Sequence, residues 1–361
     1  KSADDVELAK SNILLIGPTG SGKTLGYLLP ILAAAEGRLG VPLSGDLPRL
    51  GAPRHTALYL APTKALAHDQ ARAARGLGPR GWRIGALDGD SDEGERRFAR
   101  EHASYLLTNP DMLHYSVLPN HQRWARFLGA LRYIVVDEAQ DFCLGWWYAL
   151  TNSILTTPNG PLYAFLDPNQ SLRGEVQWPE IEFGARFKLT INCRNTQRIA
   201  TASASILSLT PHLFKRAPVG GALRVLRAGS DRQQKGLVLQ ELRSLLQREG
   251  VTPQQIAVIG PATKDKGSLT DVSDVDGVPL VTSALTWREG GGVLVTTARS
   301  FKGLEAEVVV LYDLGGFGPL FKREDLYVSC TRAKALLVAI VHGDKCREVI
   351  LAAQAAAEEQ R

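Results

Sequence analysis

Cysteine, methionine and long apolar runs are scarce in this sequence, and their scarcity excludes several classes of protein. The chain of 361 residues contains 4 cysteines and 1 methionine. No two cysteines have the spacing of a zinc knuckle or of a C-x-x-C redox pair, which predicts a reduced, cytoplasmic protein. No apolar run reaches the roughly 18 residues that span a bilayer, and no signal peptide is predicted before the first strand. We therefore expect no membrane partner.

Long runs of one charge sign are absent as well. The 42 lysines and arginines slightly outnumber the 37 acidic residues, which gives a net charge of +5 and a pI of about 9.0. This mild basicity permits a polyanionic partner such as nucleic acid but does not require one. The length predicts two or three domains, and the composition of 44% hydrophobic and 22% charged residues is that of an ordinary globular protein.

Short apolar runs alternate with helical patterns, which predicts parallel sheets flanked by helices. In the first half, strands are predicted at Asn12–Ile16, Thr56–Leu60, Arg83–Leu87, Tyr105–Thr108, Tyr133–Val136 and Leu162–Leu166. A second series is predicted at Phe187–Thr190, Leu223–Leu226, Ile256–Ile259, Val293–Thr296, Val308–Leu311 and Leu336–Val341. The boundary between two domains is therefore predicted near residues 187 and 188.

A glycine-rich segment between the first strand and a predicted helix (Lys23–Ala35) matches the pattern G-x-x-x-x-G-K-[ST]. Its residues are Gly17, Pro18, Thr19, Gly20, Ser21, Gly22, Lys23 and Thr24. Such a P-loop binds phosphates through backbone N–H groups at a helix N-terminus. We expect Lys23 to reach the β- and γ-phosphates of ATP and the Thr24 hydroxyl to bind Mg²⁺. The structural alternative is a chance glycine-rich turn.

Two carboxylates follow the apolar strand at Tyr133–Val136. Beside a P-loop, Asp137 at the strand end is expected to bind the metal ion, and Glu138 to polarise the attacking water. An Asp-Glu pair after a strand is also common as a simple cap, so the expectation depends on the P-loop.

Segments from this point onward resemble the motifs of superfamily 1 (UvrD-like) helicases. The resemblance extends over residues 137–345 and is carried by Asp137–Asp141, Phe165–Gln170, Leu189–Asn195, Val295–Glu305 and Leu326–Ala333. It implies that Gln170 couples the γ-phosphate to bound DNA, and that Arg194 and Arg332 contact the phosphate as catalytic arginines. Stabilisation of charge on the γ-phosphate is what hydrolysis needs. Surface salt bridges are the structural alternative for both arginines.

The preceding part of the chain, about residues 25–138, resembles superfamily 2 helicases of the DEAD/DEAH-like group. The resemblance is carried by Leu60–Ala67 and Thr108–Met112. It implies contacts to the nucleic-acid backbone from Thr63, Lys64 and Thr108. The prolines in both segments also suit the first turn of a helix, and the two interpretations are compatible.

Aromatic residues near these motifs are candidates for stacking on bases, namely Trp178, Trp287 and above all Phe301. Ordinary packing is the alternative for each. A third resemblance concerns the start of the chain: Asp4–Ile16 and the P-loop, within residues 1–25, are similar to Clp-type AAA+ unfoldases. Since all three families share the RecA-like core, the chain is interpreted as a mosaic of P-loop NTPases.

Together these resemblances imply an α/β fold of two RecA-like lobes, residues 1–187 and 188–361, that hydrolyse Mg-ATP between them. The implied function is an ATP-dependent translocase or helicase on single-stranded nucleic acid, with DNA and a monomeric state favoured. Cys193 stands where many superfamily 1 members have an adenine-stacking tyrosine, so nucleotide selectivity stays open. A Clp-type protein remodeller and a nucleotide-binding scaffold without turnover stay open as alternative functions.

Overall fold

The computed structural model describes residues 12–17, 31, 56–77, 82–154, 162–171 and 181–359. The described residues up to Leu189 form one compact unit and those from Thr190 onward form a second. The sequence analysis placed the boundary slightly earlier. Most of the P-loop (residues 18–24), all of the predicted helix Lys23–Ala35 except Ile31, and Trp178 lie outside the described residues.

The first unit is built on a seven-stranded sheet. Its strands are β1 (Ile13–Ile16), β2 (Thr56–Leu60), β3 (Ile84–Leu87), β4 (Tyr105–Thr108), β5 (Leu131–Val136), β6 (Leu162–Leu166) and β7 (Ala185–Lys188). They lie in the order β3-β4-β2-β5-β6-β1-β7, and each neighbouring pair is parallel. The predicted parallel sheet is therefore confirmed for this half of the chain.

Helices cover both faces of this sheet. They are α1 (Lys64–Leu77), α2 (Glu93–Glu101), α3 (Pro110–Met112), α4 (Ala125–Gly129) and α5 (Leu144–Ser153), with a wide helical turn at Leu113–Val117 and tight turns at Ala139–Asp141 and Pro168–Gln170. Leu58 on β2 belongs to a core cluster with Trp147 of α5. Its neighbour Tyr59 belongs to a second cluster with Ala71 of α1. Successive strand residues thus enter different cores, as in parallel strands that are buried on both faces.

Strand β7 corrects one expectation. The sequence analysis assigned Phe187–Thr190 to the second series, but Ala185–Lys188 pairs in parallel with β1, with Ile13 opposite Ala185. This pairing uses the backbone groups on the outer side of β1, which would otherwise form an open sheet edge. The last strand of the first sheet therefore comes directly before the second unit.

The second unit contains another seven-stranded sheet. Its strands are β8 (Arg224–Arg227), β9 (Ile256–Gly260), β10 (Asp274–Val275), β11 (Val278–Val281), β12 (Val293–Thr297), β13 (Ala306–Leu314) and β14 (Ala333–Val341). The order is β10-β11-β12-β9-β13-β14-β8, and all neighbours are parallel except the short antiparallel pair β10 and β11. The α/β class with two mainly parallel sheets is confirmed.

The helices of the second unit are α6 (Gln197–Ile206), α7 (Asp231–Arg243), α8 (Ala284–Arg288), α9 (Arg323–Thr331) and α10 (Asp344–Glu358), with tight turns at Pro253–Gln255 and Lys264–Lys266 and a wide turn at Ser244–Arg248. Helix α7 buries Val238 and Leu242 against Val258 and Val310 of the central strands. Helix α6 packs against α9 and α10. Among the described helices, none combines the length and the apolar character that crossing a bilayer requires.

Gly343 connects β14 to α10 and offers a test of this packing. Its N–H donates to the carbonyl oxygen of Leu314 at 3.2 Å, and a Cβ at this position would overlap the backbone carbonyl of Gly315. Because backbone cannot move aside as a side-chain end can, Gly343→Ala should lower the free energy of unfolding by about 1–3 kcal/mol, measured by urea denaturation. Gly316→Ala, whose Cβ would meet nothing within 4 Å, should leave it nearly unchanged. Equal losses in both variants would contradict the steric argument.

Candidate functional site

The carboxyl edge of the first sheet gathers several of the predicted site residues. Strands β5, β6 and β1 are neighbours, and they are followed by Asp137, Asp167 and Gly17 respectively. The N–H of Gly17 donates to the carbonyl oxygen of Leu166 at 3.0 Å, which ties the first residue of the P-loop to the end of β6. In parallel α/β sheets this edge is where ligands bind.

Asp137 is held in one orientation by its surroundings. Its Oδ2 accepts a hydrogen bond from the Tyr59 hydroxyl at 2.6 Å, and its Oδ1 accepts one from the Glu138 N–H at 2.9 Å. The Asp137 N–H donates to the carbonyl oxygen of Leu60 on β2. A carboxylate is the hard oxygen ligand that Mg²⁺ prefers, and one or two carboxylates suffice when substrate phosphates and water complete the shell. Asp137 therefore fits the predicted metal role.

A chain of hydrogen bonds among buried residues joins the ends of β5 and β6. The Gln140 amide donates to Glu138 Oε2 and accepts from the Asp167 N–H at 3.0 Å. Asp167 Oδ2 in turn accepts from the Gln170 amide. All four side chains are at most 5% exposed. The structure thus brings Glu138 and Gln170, predicted separately from two motifs, into one polar network.

The backbone of Glu138 has an unusual conformation, with φ of 50° and ψ of 42°. This left-handed region is rare for residues other than glycine and costs of the order of 1–3 kcal/mol. Such outliers concentrate at functional sites, where surrounding contacts hold them. Here the contacts from Asp137 and Gln140 hold Glu138 in this strained conformation.

The three residues predicted to contact nucleic acid from the first unit all have partners within that unit. Thr63 caps α1, because its hydroxyl accepts the Leu66 N–H at 3.3 Å. The half-exposed Lys64 forms an ion pair with Asp90, and this hydrogen bond raises the pKa of the lysine amine. Thr108 is fully buried and donates its hydroxyl to the Leu87 carbonyl oxygen at 2.7 Å. A phosphate contact from that hydroxyl would require this bond to break, whereas Lys64 remains accessible.

Phe301, predicted to stack on a base, lies in the interior of the second unit. It is 0% exposed, and its ring centroid is 5.6 Å from that of Trp287. Trp287 is equally buried and donates its indole N–H to the Pro253 carbonyl oxygen. The structure places both rings as packing residues, so neither offers a face to a base without leaving the core.

Arg194 forms an ion pair inside the second unit. Its Nε lies 2.6 Å from Glu305 Oε2, and Lys334 approaches the other Glu305 oxygen at 3.7 Å. The loop before α6 is fixed by Asn192, whose Oδ1 accepts the Arg194 N–H at 3.0 Å. Arg194 and Glu305 are partly exposed, at 18% and 31% of their side-chain surface. Arg194 is therefore a positioned cation beside solvent.

Arg332 contrasts with Arg194. It is 0% exposed, and its guanidinium donates to the carbonyl oxygens of Val328 at 3.2 Å and Leu304 at 3.5 Å. These bonds connect the end of α9 to the segment before β13. In this arrangement Arg332 supports the second unit internally, and its predicted catalytic contact stays a prediction.

Three partners of these groups were not among the residues singled out from sequence: Tyr59, Gln140 and Asp167. Gln140 and Asp167 stand within the quoted motifs Asp137–Asp141 and Phe165–Gln170. Their place in these motifs could have marked them as site residues. Tyr59 lies in an apolar strand, where nothing in the sequence marks its hydroxyl for Asp137. Glu305 ends the quoted motif Val295–Glu305, so the sequence offered a ribose contact or an anchor of the second lobe as its role, but not the pairing with Arg194.

Comparison with known proteins gives matches to helicases. Residues 2–157 match the family model of the DEAD/DEAH box helicases, which is less than half of the chain. The ATP-dependent helicase HRQ1 of Saccharomyces cerevisiae is 38% identical over 132 residues, which are 35% of this chain and 11% of that protein. The uncharacterized ATP-dependent helicase YprA of Bacillus subtilis is 37% identical over 134 residues, or 36% of this chain and 16% of that protein.

The fold of the whole chain is similar to a solved structure of the DUF1998 helicase MrfA bound to DNA and AMPPNP. The TM-score is 0.54 at 19% identity, over 98% of this chain and 50% of that chain. The matches support a superfamily 2 helicase lobe in the first part of the chain and two RecA-like lobes overall. The matched segments are small fractions of the curated relatives, 11% and 16% of their lengths.

Gln140 can be tested as the bridge between β5 and β6. Gln140→Leu keeps a similar volume but leaves a buried Glu138 oxygen and the Asp167 N–H without this partner. The free energy of unfolding should fall by about 1–3 kcal/mol, measured by urea denaturation. Gln122→Leu changes the same functional group at an exposed position and should have little effect. A Gln140→Leu variant as stable as the unmodified chain would show that the bridge contributes nothing.

Proposed function

We propose that this chain is an ATP-dependent helicase motor that hydrolyses Mg-ATP and moves on single-stranded nucleic acid. Its first part matches the DEAD/DEAH box helicase family, and the relatives HRQ1 and YprA are both named ATP-dependent helicases. The MrfA structure contains both DNA and AMPPNP. These similarities support the assignment as an ATP-dependent helicase, and the geometry of the first unit supports ATP hydrolysis.

The observation that carries the proposal is the hydrogen-bonded chain from Glu138 through Gln140 and Asp167 to Gln170. It lies at the carboxyl edge of adjacent strands, beside Asp137 and the start of the P-loop. A buried, fully connected polar network is a rigid way to link two loops. A change at Gln170, where the γ-phosphate is expected, would therefore be transmitted to the carboxylate that activates water.

Each residue has a distinct role in this proposal. The P-loop backbone and Lys23 bind the phosphates, and Thr24 with Asp137 would hold Mg²⁺. When bound, the ion neutralises charge on the phosphate oxygens. Glu138 accepts a proton from the attacking water, and Gln140 keeps its carboxylate in place. Arg194 stabilises charge that develops on the γ-phosphate.

Single-stranded DNA is the partner that we propose. Lys64 is the accessible cation among the residues predicted in the first unit, and phosphate contacts position a strand without reading its sequence. Thr63 and Thr108 would contact the phosphates of the strand through their backbone groups, because their hydroxyls already have partners within the protein. The choice of DNA over RNA rests on the MrfA structures, which contain DNA.

Other features of the sequence stay predictions within this proposal. They are the superfamily 1 character of residues 137–345, the Clp-like start, the lobe limits at 187 and 188, a monomeric state and a cytoplasmic location. The match at residues 2–157 includes the Clp-like start, so the remodeller function has less support than the helicase function.

Steady-state ATP hydrolysis with and without single-stranded DNA tests the proposal. We expect DNA to stimulate turnover, and Lys23→Ala to abolish it, because the lysine contacts the phosphates in both ground and transition states. Lys235→Ala, which removes a lysine paired with Asp271 in the second unit, is the matched control and should retain turnover. Turnover that depends on Lys23 but ignores DNA would favour the remodeller. ATP binding without turnover would favour the scaffold.

Arg194 is tested by Arg194→Ala. If it stabilises the developing charge, kcat should fall by about 10³-fold while KM for ATP changes little. Arg227→Ala removes an exposed arginine from the same unit and should leave kcat unchanged. A parallel fall in thermal stability would point to loss of the Glu305 ion pair instead, and an unchanged kcat would exclude Arg194 from the chemistry.

A further inference from the structure

A cavity of about 240 Å³ opens at the carboxyl edge of the second sheet. There β9 and β12 lie side by side, with Gly260 opposite Thr297. The loops that follow these strands, residues 261–263 and 297–299, form two of its walls. The third wall comes from residues 320–321, just before α9. The roles assigned above do not use this cavity.

The floor and mouth of the cavity are apolar. Phe321 lines it and is 4% exposed, with its ring parallel to that of Phe317 at an interplanar angle of 4°. Leu320, at the mouth, is 75% exposed. Leu320 and Phe321 thus give this concave site an apolar lining, as is usual for sites that bind ring systems.

Two cations stand at the rim, Arg299 and the exposed Lys266. Arg299 has 52% of its side chain exposed, and its Nε is 3.7 Å from Oδ1 of the buried Asp325. Asp325 also accepts the Lys322 N–H at 2.8 Å, so its charge is shared with the start of α9. Asp265 precedes Lys266 in the chain, and Asp313 accepts the Ser268 N–H two residues after it. The guanidinium is thus oriented by one carboxylate and still open to a second anion.

We propose that this cavity takes one unpaired base of the bound strand, while Arg299 and Lys266 contact the adjoining phosphate. The inference rests on the proposed function and adds a base-binding subsite to it. The volume is below the roughly 300–1,000 Å³ that holds a drug-sized ligand, so it suits one ring system. Proteins that bind single strands without sequence preference combine cations that contact the backbone with side chains against which bases pack, and Leu320 and Phe321 would supply the second element here. A paired base is excluded because its faces are stacked and must first be extruded.

Fluorescence anisotropy with two labelled strands tests the subsite: an oligothymidylate of about 15 nucleotides and an abasic strand of the same length. Leu320→Ala and Ala262→Leu alter the mouth and fill the cavity. Each should weaken binding of oligothymidylate about fivefold or more, the range of one stacked base, and leave the abasic strand unaffected.

Arg299→Ala should weaken both strands and reduce the slope of log affinity against log salt by about one. Arg248→Ala removes an exposed arginine elsewhere in the second unit and serves as the charge control. Thermal melting of every variant identifies any that fail to fold, and Leu320→Ala, at an exposed position, is the one expected to melt unchanged.

Unchanged binding of oligothymidylate by Leu320→Ala and Ala262→Leu would overturn the proposal, as would equal affinity of the unmodified chain for both strands. These results would leave DNA-stimulated ATP hydrolysis intact. If the unmodified chain bound neither strand and DNA did not stimulate its Lys23-dependent turnover, the subsite and the proposed nucleic-acid partner would both fail.

Discussion

The buried amide of Gln140 is the constraint on which the candidate site depends. A primary amide carries a donor N–H₂ group and an acceptor oxygen in one plane, so a single side chain can join a donor to an acceptor. Gln140 uses both capacities, toward Glu138 and toward the Asp167 backbone. Because both partners are buried, neither can exchange this bond for water without opening the structure. The carboxyl ends of β5 and β6 are therefore held together.

The same constraint accounts for the strain at Glu138. A left-handed backbone persists only where neighbouring contacts outweigh its cost. The tight turn at Ala139–Asp141 and the bonds to Asp137 and Gln140 supply those contacts. The strain turns the chain sharply after β5, so that Asp137 and Glu138 differ in surroundings although they are adjacent. Asp137 is partly exposed and bonded to Tyr59, while Glu138 is buried in the network.

Most strands were predictable from the sequence, including the edge strands β3 and β8, whereas β7, β10 and β11 were not. Thr56–Leu60, Tyr105–Thr108 and Leu162–Leu166 have the predicted limits, because strands buried on both faces are continuous apolar runs. Strand β7, with the sequence ARFK, is at the sheet edge and partly exposed, so its composition does not show which sheet it joins. The two-residue β10 is too short to leave a periodic pattern.

Motif spacing predicted which residue types meet at the carboxyl edge, but not where each side chain points. Asp137, Glu138 and Gln170 follow neighbouring strands, so strand order alone brings them together. Thr108 and Phe301 stand in equally suggestive segments, yet their side chains are buried. A hydroxyl at a strand end can bond outward or to the next strand, and Leu87 offered Thr108 the nearer acceptor. Direction is decided by packing, which sequence alone does not contain.

The two arginines of the second unit differ in how readily each can serve a phosphate. The Arg194–Glu305 pair is partly exposed, and such pairs contribute only about 0–1 kcal/mol, so a phosphate with several charged oxygens can displace the carboxylate. Arg332 is fully buried, and removing it would break its hydrogen bonds to the carbonyl oxygens of Val328 and Leu304, of which Val328 keeps the Thr331 hydroxyl as a donor. Of the two arginines, Arg194 is therefore the one that can reach a phosphate at the smaller cost, as the proposed function requires. The hydrogen bonds of Arg332 connect α9 to the segment before β13, and its catalytic contact stays a prediction.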